Sequence, residues 1–85
     1  MKESEGKRIT LLYFALLQDQ TGLEEETVTT AAPTARELYG ERQAVHPLSL
    51  SIDILRVAIN DEIVAWDAPL SDGDRVAFLA PVSGG

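Results

Sequence analysis

Eighty-five residues, 45% of them apolar and with a net charge of −7, make one small acidic domain. The chain has no cysteine, which excludes disulfides, thiolate metal sites, iron–sulfur clusters and a thiol nucleophile; its one histidine, His46, excludes a His-rich metal site. Such acidity disfavours nucleic acid and suits a basic protein partner or simple solubility.

In chain order, Met1 to Lys7 (MKESEGK) lacks the apolar stretch of a signal peptide and reads as a flexible end over residues 1–7. The longest apolar run near it, Leu11 to Leu17, is too short to span a bilayer, so a cytoplasmic protein with no membrane partner is expected. Ile9 to Ala15 (ITLLYFA) is rich in strand formers. Alternation places Ile9, Leu11, Tyr13 and Ala15 in the core and Thr10, Leu12 and Phe14 on the opposite, unusually apolar face.

Leu16 to Gly22 reads as a turn or one short helical turn. Glu24 to Thr30 (EEETVTT) reads as a second strand anchored by Val28, with Glu24, Glu25 and Glu26 as a solvated edge. Thr34-Ala35-Arg36-Glu37 has the spacing of a capping box and predicts a helix from Ala35 to about Val45. Its buried side would carry Ala35, Leu38, Tyr39, Arg42 and Val45. Pro47 then ends it, because the residue before proline avoids the helical region.

Residues 48–54 show no regular pattern. Leu55 to Ile59 alternates as a third strand, Asn60-Asp61-Glu62 supplies a turn, and Ile63 to Ala65 returns as a short fourth strand. Pro69 to Asp74 is a loop in which Gly73 is free to take positive φ. Arg75 to Ala80 (RVAFLA) is the last strand, with Leu79 facing away from Val76 and Phe78. Strands around one main helix indicate an α+β domain with a mixed sheet packed on that helix. The order is that of a β-grasp, ubiquitin-like fold over residues 8–80.

Residues 81–85, Pro81-Val82-Ser83-Gly84-Gly85, would form an extended tail reaching roughly 17 Å past the last strand. Pro81 cannot continue a ladder, and bare glycine backbone fits a narrow channel. Such a tail suits chemistry on the carboxylate of Gly85. A carboxylate becomes electrophilic only when activated, for instance as an acyl adenylate, and the activating enzyme must bring it to about 3–3.5 Å from the ATP α-phosphate. ATP and Mg would then belong to that enzyme, with no cofactor or metal held by this chain. A sulfur accepted by the acyl group would give a thiocarboxylate, a sulfur carrier that needs no cysteine.

Leu70 to Gly85 (LSDGDRVAFLAPVSGG) closely resembles the small, sulfur-carrier subunits of molybdopterin synthase. Tyr13-Phe14-Ala15 with Gly22, and Val57-Ala58-Ile59-Asn60, resemble the same family's first and third strands. Ala80 stands where that family's first tail proline is usual, and Gln18 where a basic residue is common. The resemblance implies three partners: an adenylating enzyme related to ubiquitin-activating enzymes, a sulfur donor protein, and a large synthase subunit with which this chain would form a heterotetrameric synthase. It implies that Gly85 carries the sulfur, that Pro81, Val82, Ser83 and Gly84 thread the partner's site, and that Phe14, Ile63 and Leu79 form the partner interface. The chain itself would be the non-catalytic, sulfur-donating subunit.

Other readings share the fold: a sulfur carrier for a thiamine- or cysteine-type pathway, a ubiquitin-like modifier of lysines, or a plain interaction module. His46 is read as a helix-end residue, Trp66 as a lid on the core edge, and Asp72 and Asp74 as turn formers.

Overall fold

The computed structural model describes residues 6–81. Its elements are β1 (Lys7–Tyr13), α1 (Ala15–Thr21), β2 (Glu25–Thr30), α2 (Ala35–Val45), β3 (Arg56–Ile59), β4 (Glu62–Val64) and β5 (Arg75–Leu79). The strands form one sheet in the order β2-β1-β5-β3-β4. β1 and β5 are parallel, and the other pairs are antiparallel. The strand that leads into the C-terminus therefore occupies the centre of the sheet. This is the expected α+β β-grasp architecture.

Strand parity creates two unlike faces. Ile9, Leu11, Tyr13, Val57, Val76 and Phe78 point to one side and are buried with Ala35, Leu38 and Tyr39 of α2. Burying each large side chain contributes roughly 1.5–3 kcal/mol. Trp66 closes the edge of this layer: its ring stacks on Phe78 at 5.9 Å and lies 5.8 Å from Tyr39. The irregular segment after α2 is held by the Tyr39 hydroxyl, which donates to the Leu50 carbonyl at 2.7 Å.

Several expectations need correction. Lys7, placed in the flexible end, opens β1: it pairs with Thr30, and its Nζ donates to the Ala32 carbonyl at 2.8 Å. Ala15 is exposed, not core, because β1 stops at Tyr13 and Ala15 takes φ 51°. The following segment is a helix of seven residues, closed by Gly22 at φ 76°. Val45 is 61% exposed. The buried stripe of α2 runs 35-38-39-42 and continues to position 46, where the His46 ring packs edge-on to Tyr13 at 6.0 Å.

The capping box is also different in kind. Thr34 is the N-cap, but its hydroxyl binds the Glu37 carboxylate and no backbone N–H. The first helical N–H groups are instead satisfied by the loop that follows β4: Ala35 donates to the Ala68 carbonyl at 3.4 Å and Arg36 to that of Trp66 at 3.1 Å. Among the glutamates of the second strand region, Glu24 and Glu25 are exposed, whereas Glu26 turns toward the helix side.

The predicted turns take the forms their residues allow. Asn60 and Asp61, at φ 53° and 73°, make a two-residue hairpin between β3 and β4. Gly73 sits at φ 90° between Asp72, whose Oδ1 accepts from the Arg8 N–H at 2.7 Å, and Asp74, whose Oδ2 accepts from the Ser71 N–H at 2.8 Å.

Candidate functional site: the open sheet face and the chain end

The face turned away from α2 is built by the alternate residues of every strand. Register aligns Leu12, Ala77, Ala58 and Ile63 in one row across β1, β5, β3 and β4. The two central alanines are each only 8% exposed, sheltered by their larger neighbours. Leu79 lies opposite Arg56 in the next row. The result is an apolar band with no helix over it.

Each residue singled out for partner contact falls on this band. Phe14 follows β1 with an extended backbone (φ −127°, ψ 151°), so its side chain keeps the outward parity of Leu12. Its carbonyl accepts the Leu17 N–H at 3.0 Å, which starts α1 and turns the chain away. The Phe14 ring remains 49% exposed, Ile63 on the edge strand is 57% exposed, and Leu79 is half-buried. Exposed apolar side chains grouped in this way make this face a candidate interaction surface.

A groove opens at the end of this band, lined by Asp53, Ile54, Arg56, Ile63, Leu79, Ala80 and Pro81. Ile54 and Arg56 are members that pattern reading missed. Ile54 stands in an irregular segment, where periodicity says nothing about facing. Arg56 carried a usable signal, since it alternates with the inward Leu55 and Val57. Ala80 packs partly against the core, and Pro81 is exposed. The remaining tail positions Val82, Ser83, Gly84 and Gly85 lie outside the described residues.

The titratable residues form a separate group on the helix side. The Glu26 carboxylate accepts from the Tyr13 hydroxyl at 2.8 Å, meets His46 Nε2 at 3.0 Å, and accepts from Arg42 at 3.4 Å. Burial by itself would raise the Glu26 pKa. The hydrogen bonds from Tyr13 and His46, with the charges of His46 and Arg42, outweigh it and hold the carboxyl below its ordinary range. Burial, then the Glu26 hydrogen bond and charge, push the Tyr13 phenol up. Both Glu26 oxygens are satisfied within this knot, which ties β1, β2 and α2 together. Asp72 and Asp74 are likewise consumed by the turn they form. Among the described residues, no group of three or more His, Asp or Glu could hold a metal ion, and no helix is long and apolar enough to cross a membrane.

What the geometry offers is an uncovered apolar face, a groove beside it, and a central strand that leads into the C-terminal residues. The chain is similar in sequence and fold to known proteins. The chain is 36% identical over 80 residues to the molybdopterin synthase sulfur carrier subunit of Escherichia coli K12, covering 91% of this chain and 99% of that one. Its structure superposes on SAMP1 from Haloferax volcanii with a TM-score of 0.76 at 25% identity, covering 92% and 99% of the two chains. A chain in the protein–protein complex of subunits 1 and 2 of molybdopterin-converting factor from Helicobacter pylori 26695 matches with a TM-score of 0.61 at 26% identity, covering 92% and 99%. The model of the ThiS family matches residues 11–85, and the chain belongs to that family.

Proposed function

We propose that this chain is the sulfur-carrier subunit of molybdopterin synthase and carries its sulfur on Gly85. The single observation behind this reading is the Gly84-Gly85 sequence a few residues after β5, the central strand of a sheet whose outer face is apolar. The relatives named above support it. The E. coli protein is a sulfur carrier subunit, and the H. pylori structure is a complex of the two subunits of a converting factor.

The chemistry belongs to the terminal carboxylate. A carboxylate oxygen of Gly85 attacks the α-phosphorus of ATP, and pyrophosphate leaves. An adenylating enzyme related to ubiquitin-activating enzymes holds the ATP and Mg. Hydrosulfide, supplied by a sulfur donor protein, then attacks the acyl carbon, and AMP leaves with the bonding electrons. The thiocarboxylate so formed is ionised and nucleophilic near neutral pH.

Phe14, Ile63 and Leu79 dock on the large synthase subunit, while Pro81, Val82, Ser83 and Gly84 thread its site. The sulfur attacks an electrophilic carbon of the pterin precursor held there, and a carbon–oxygen bond at that carbon breaks, the oxygen leaving with the bonding electrons. Water cleaves the acyl carbon–sulfur bond and restores the Gly85 carboxylate. Two such rounds supply both sulfurs of the dithiolene. The synthase is a heterotetramer working in the cytoplasm, with the large subunit supplying acid–base catalysis.

The test is mass spectrometry after incubation with ATP, Mg, the adenylating enzyme and a sulfur source. A gain of about 16 Da on the C-terminal peptide is expected, since sulfur replaces oxygen. Deleting Gly85, or adding one residue after it, should abolish sulfur transfer and leave the melting temperature unchanged, because the core lies within residues 9–78. Transfer by either variant overturns the proposal. Lysine adducts in place of the mass gain would make the chain a modifier.

A further inference from the structure

The strand positions of the open sheet face carry the opposite charge to the chain as a whole. Strand parity places four ionisable side chains on it: Arg8 of β1, Glu25 of β2, Arg56 of β3 and Arg75 of β5. Three are cationic, on a chain of net charge −7. All three arginines are exposed, and among the described residues none has a carboxylate within ion-pair distance. The two arginines of α2 behave differently. Arg36 pairs with Asp67 at 2.8 Å and Arg42 with Glu26 at 3.4 Å. Among the described residues, both arginines of α2 are paired with a carboxylate and the three on the apolar face are not.

Their positions border the band. Arg56 stands opposite Leu79 and lines the groove with Ile54 and Ile63; the one carboxylate in that groove, Asp53, does not pair with it. Arg75 sits in register with Thr10, one row from Leu12 and Ala77. Beyond it lies Arg8, beside Asp72, whose carboxylate is occupied by the Arg8 backbone N–H. A guanidinium covered by a partner loses its water, and that loss is offset only when the partner supplies an acceptor. A carboxylate is the acceptor that fits its planar fork best.

We propose that the partner surface covering this face is an apolar patch bordered by carboxylates that pair with Arg56 and Arg75. The occupant is the large synthase subunit, so the inference rests on the function proposed above. Net charge alone points to a basic partner, whereas the distribution of charge on this face calls for an acidic one.

The test is the Kd of the full-length chain for its own large synthase subunit. Arg56→Glu and Arg75→Glu should each weaken binding about tenfold, with unchanged melting temperatures because both side chains face solvent. The loss at position 56 should be graded, smallest for Arg56→Lys, which keeps the charge but not the planar fork, with Arg56→Gln between Lys and Glu. Arg36→Glu makes the same change in net charge on α2 and should stay within about twofold of wild type. The inference is overturned if both reversed variants bind as well as wild type, if Arg56→Gln loses as much as Arg56→Glu, or if Arg36→Glu loses as much as either. Any of these outcomes with a wild type that binds leaves the sulfur-carrier reading standing. A wild type that does not bind the large subunit removes both.

Discussion

Glu26 shows how one residue can look like surface in the sequence and act as a keystone in the fold. It lies in a run of three glutamates, the pattern of a solvated edge. Yet β2 directs Glu25 outward and Glu26 inward, where its two oxygens collect the Tyr13 hydroxyl, His46 and Arg42. Arg42 Nε is buried without a partner, so the Glu26 carboxylate is the main compensation for that buried cation. Glu26→Gln keeps the shape and removes the charge, and it should cost about 2 kcal/mol in urea denaturation at neutral pH. The pH dependence has a defined sign. The folded carboxyl titrates below its ordinary value of 4.5, so its contribution is complete above that value. It is lost as pH falls through the folded pKa. The stability gap between wild type and Glu26→Gln should therefore narrow on acidification from about pH 4.5 downward. A gap that stays constant to pH 2 would remove the carboxylate from its assigned role.

At the scale of the element, α2 was legible because three independent signals agreed: Thr34 before it, apolar positions at helical spacing, and Pro47 behind it. Its bounds, Ala35–Val45, are those the sequence predicts. The mode of capping was not legible, because the acceptors for the first N–H groups come from Trp66 and Ala68, far along the chain. Thr34→Ala should accordingly cost about 0.5 kcal/mol or less, against the ~1 kcal/mol usual for an N-cap. A loss above 1.5 kcal/mol would show that the hydroxyl caps the helix after all. Gly40 lies on the exposed side, and an added Cβ would meet nothing within 4 Å. Gly40→Ala should stabilise the protein by up to about 1 kcal/mol, read as a raised denaturation midpoint with unchanged slope. The short helix α1, read from the sequence only as a turn or one helical turn, was underestimated for a different reason. Seven residues hold too few turns for a period to show, and its start depends on Ala15 taking a left-handed backbone that nothing in its side chain announces.

For the molecule as a whole, period-2 alternation made the two sheet faces readable, including the outward turn of Phe14 and Leu79. The lateral order of the strands was not readable from alternation. The central place of β5 comes from pairing with β1 and β3, strands far from it in the chain. That order matters, because it sets Leu12, Ala77, Ala58 and Ile63 in one row and puts Leu79 beside them. The same strands thus hold a core on one side and a docking face on the other, so stability and binding should separate by parity. Phe78 is fully buried against Tyr39 and Trp66, and Phe78→Ala should cost about 3–5 kcal/mol. Phe14, half exposed on the opposite face, supports little of the fold. Phe14→Glu should leave the denaturation midpoint nearly unchanged and weaken binding to the large synthase subunit at least about tenfold. Ile63→Glu should behave in the same way, whereas Leu79→Ala, being half-buried, should lose some of both. Calorimetric titration beside thermal unfolding of each variant checks the split. Wild-type affinity in both Phe14→Glu and Ile63→Glu would mean that the partner does not sit on this face.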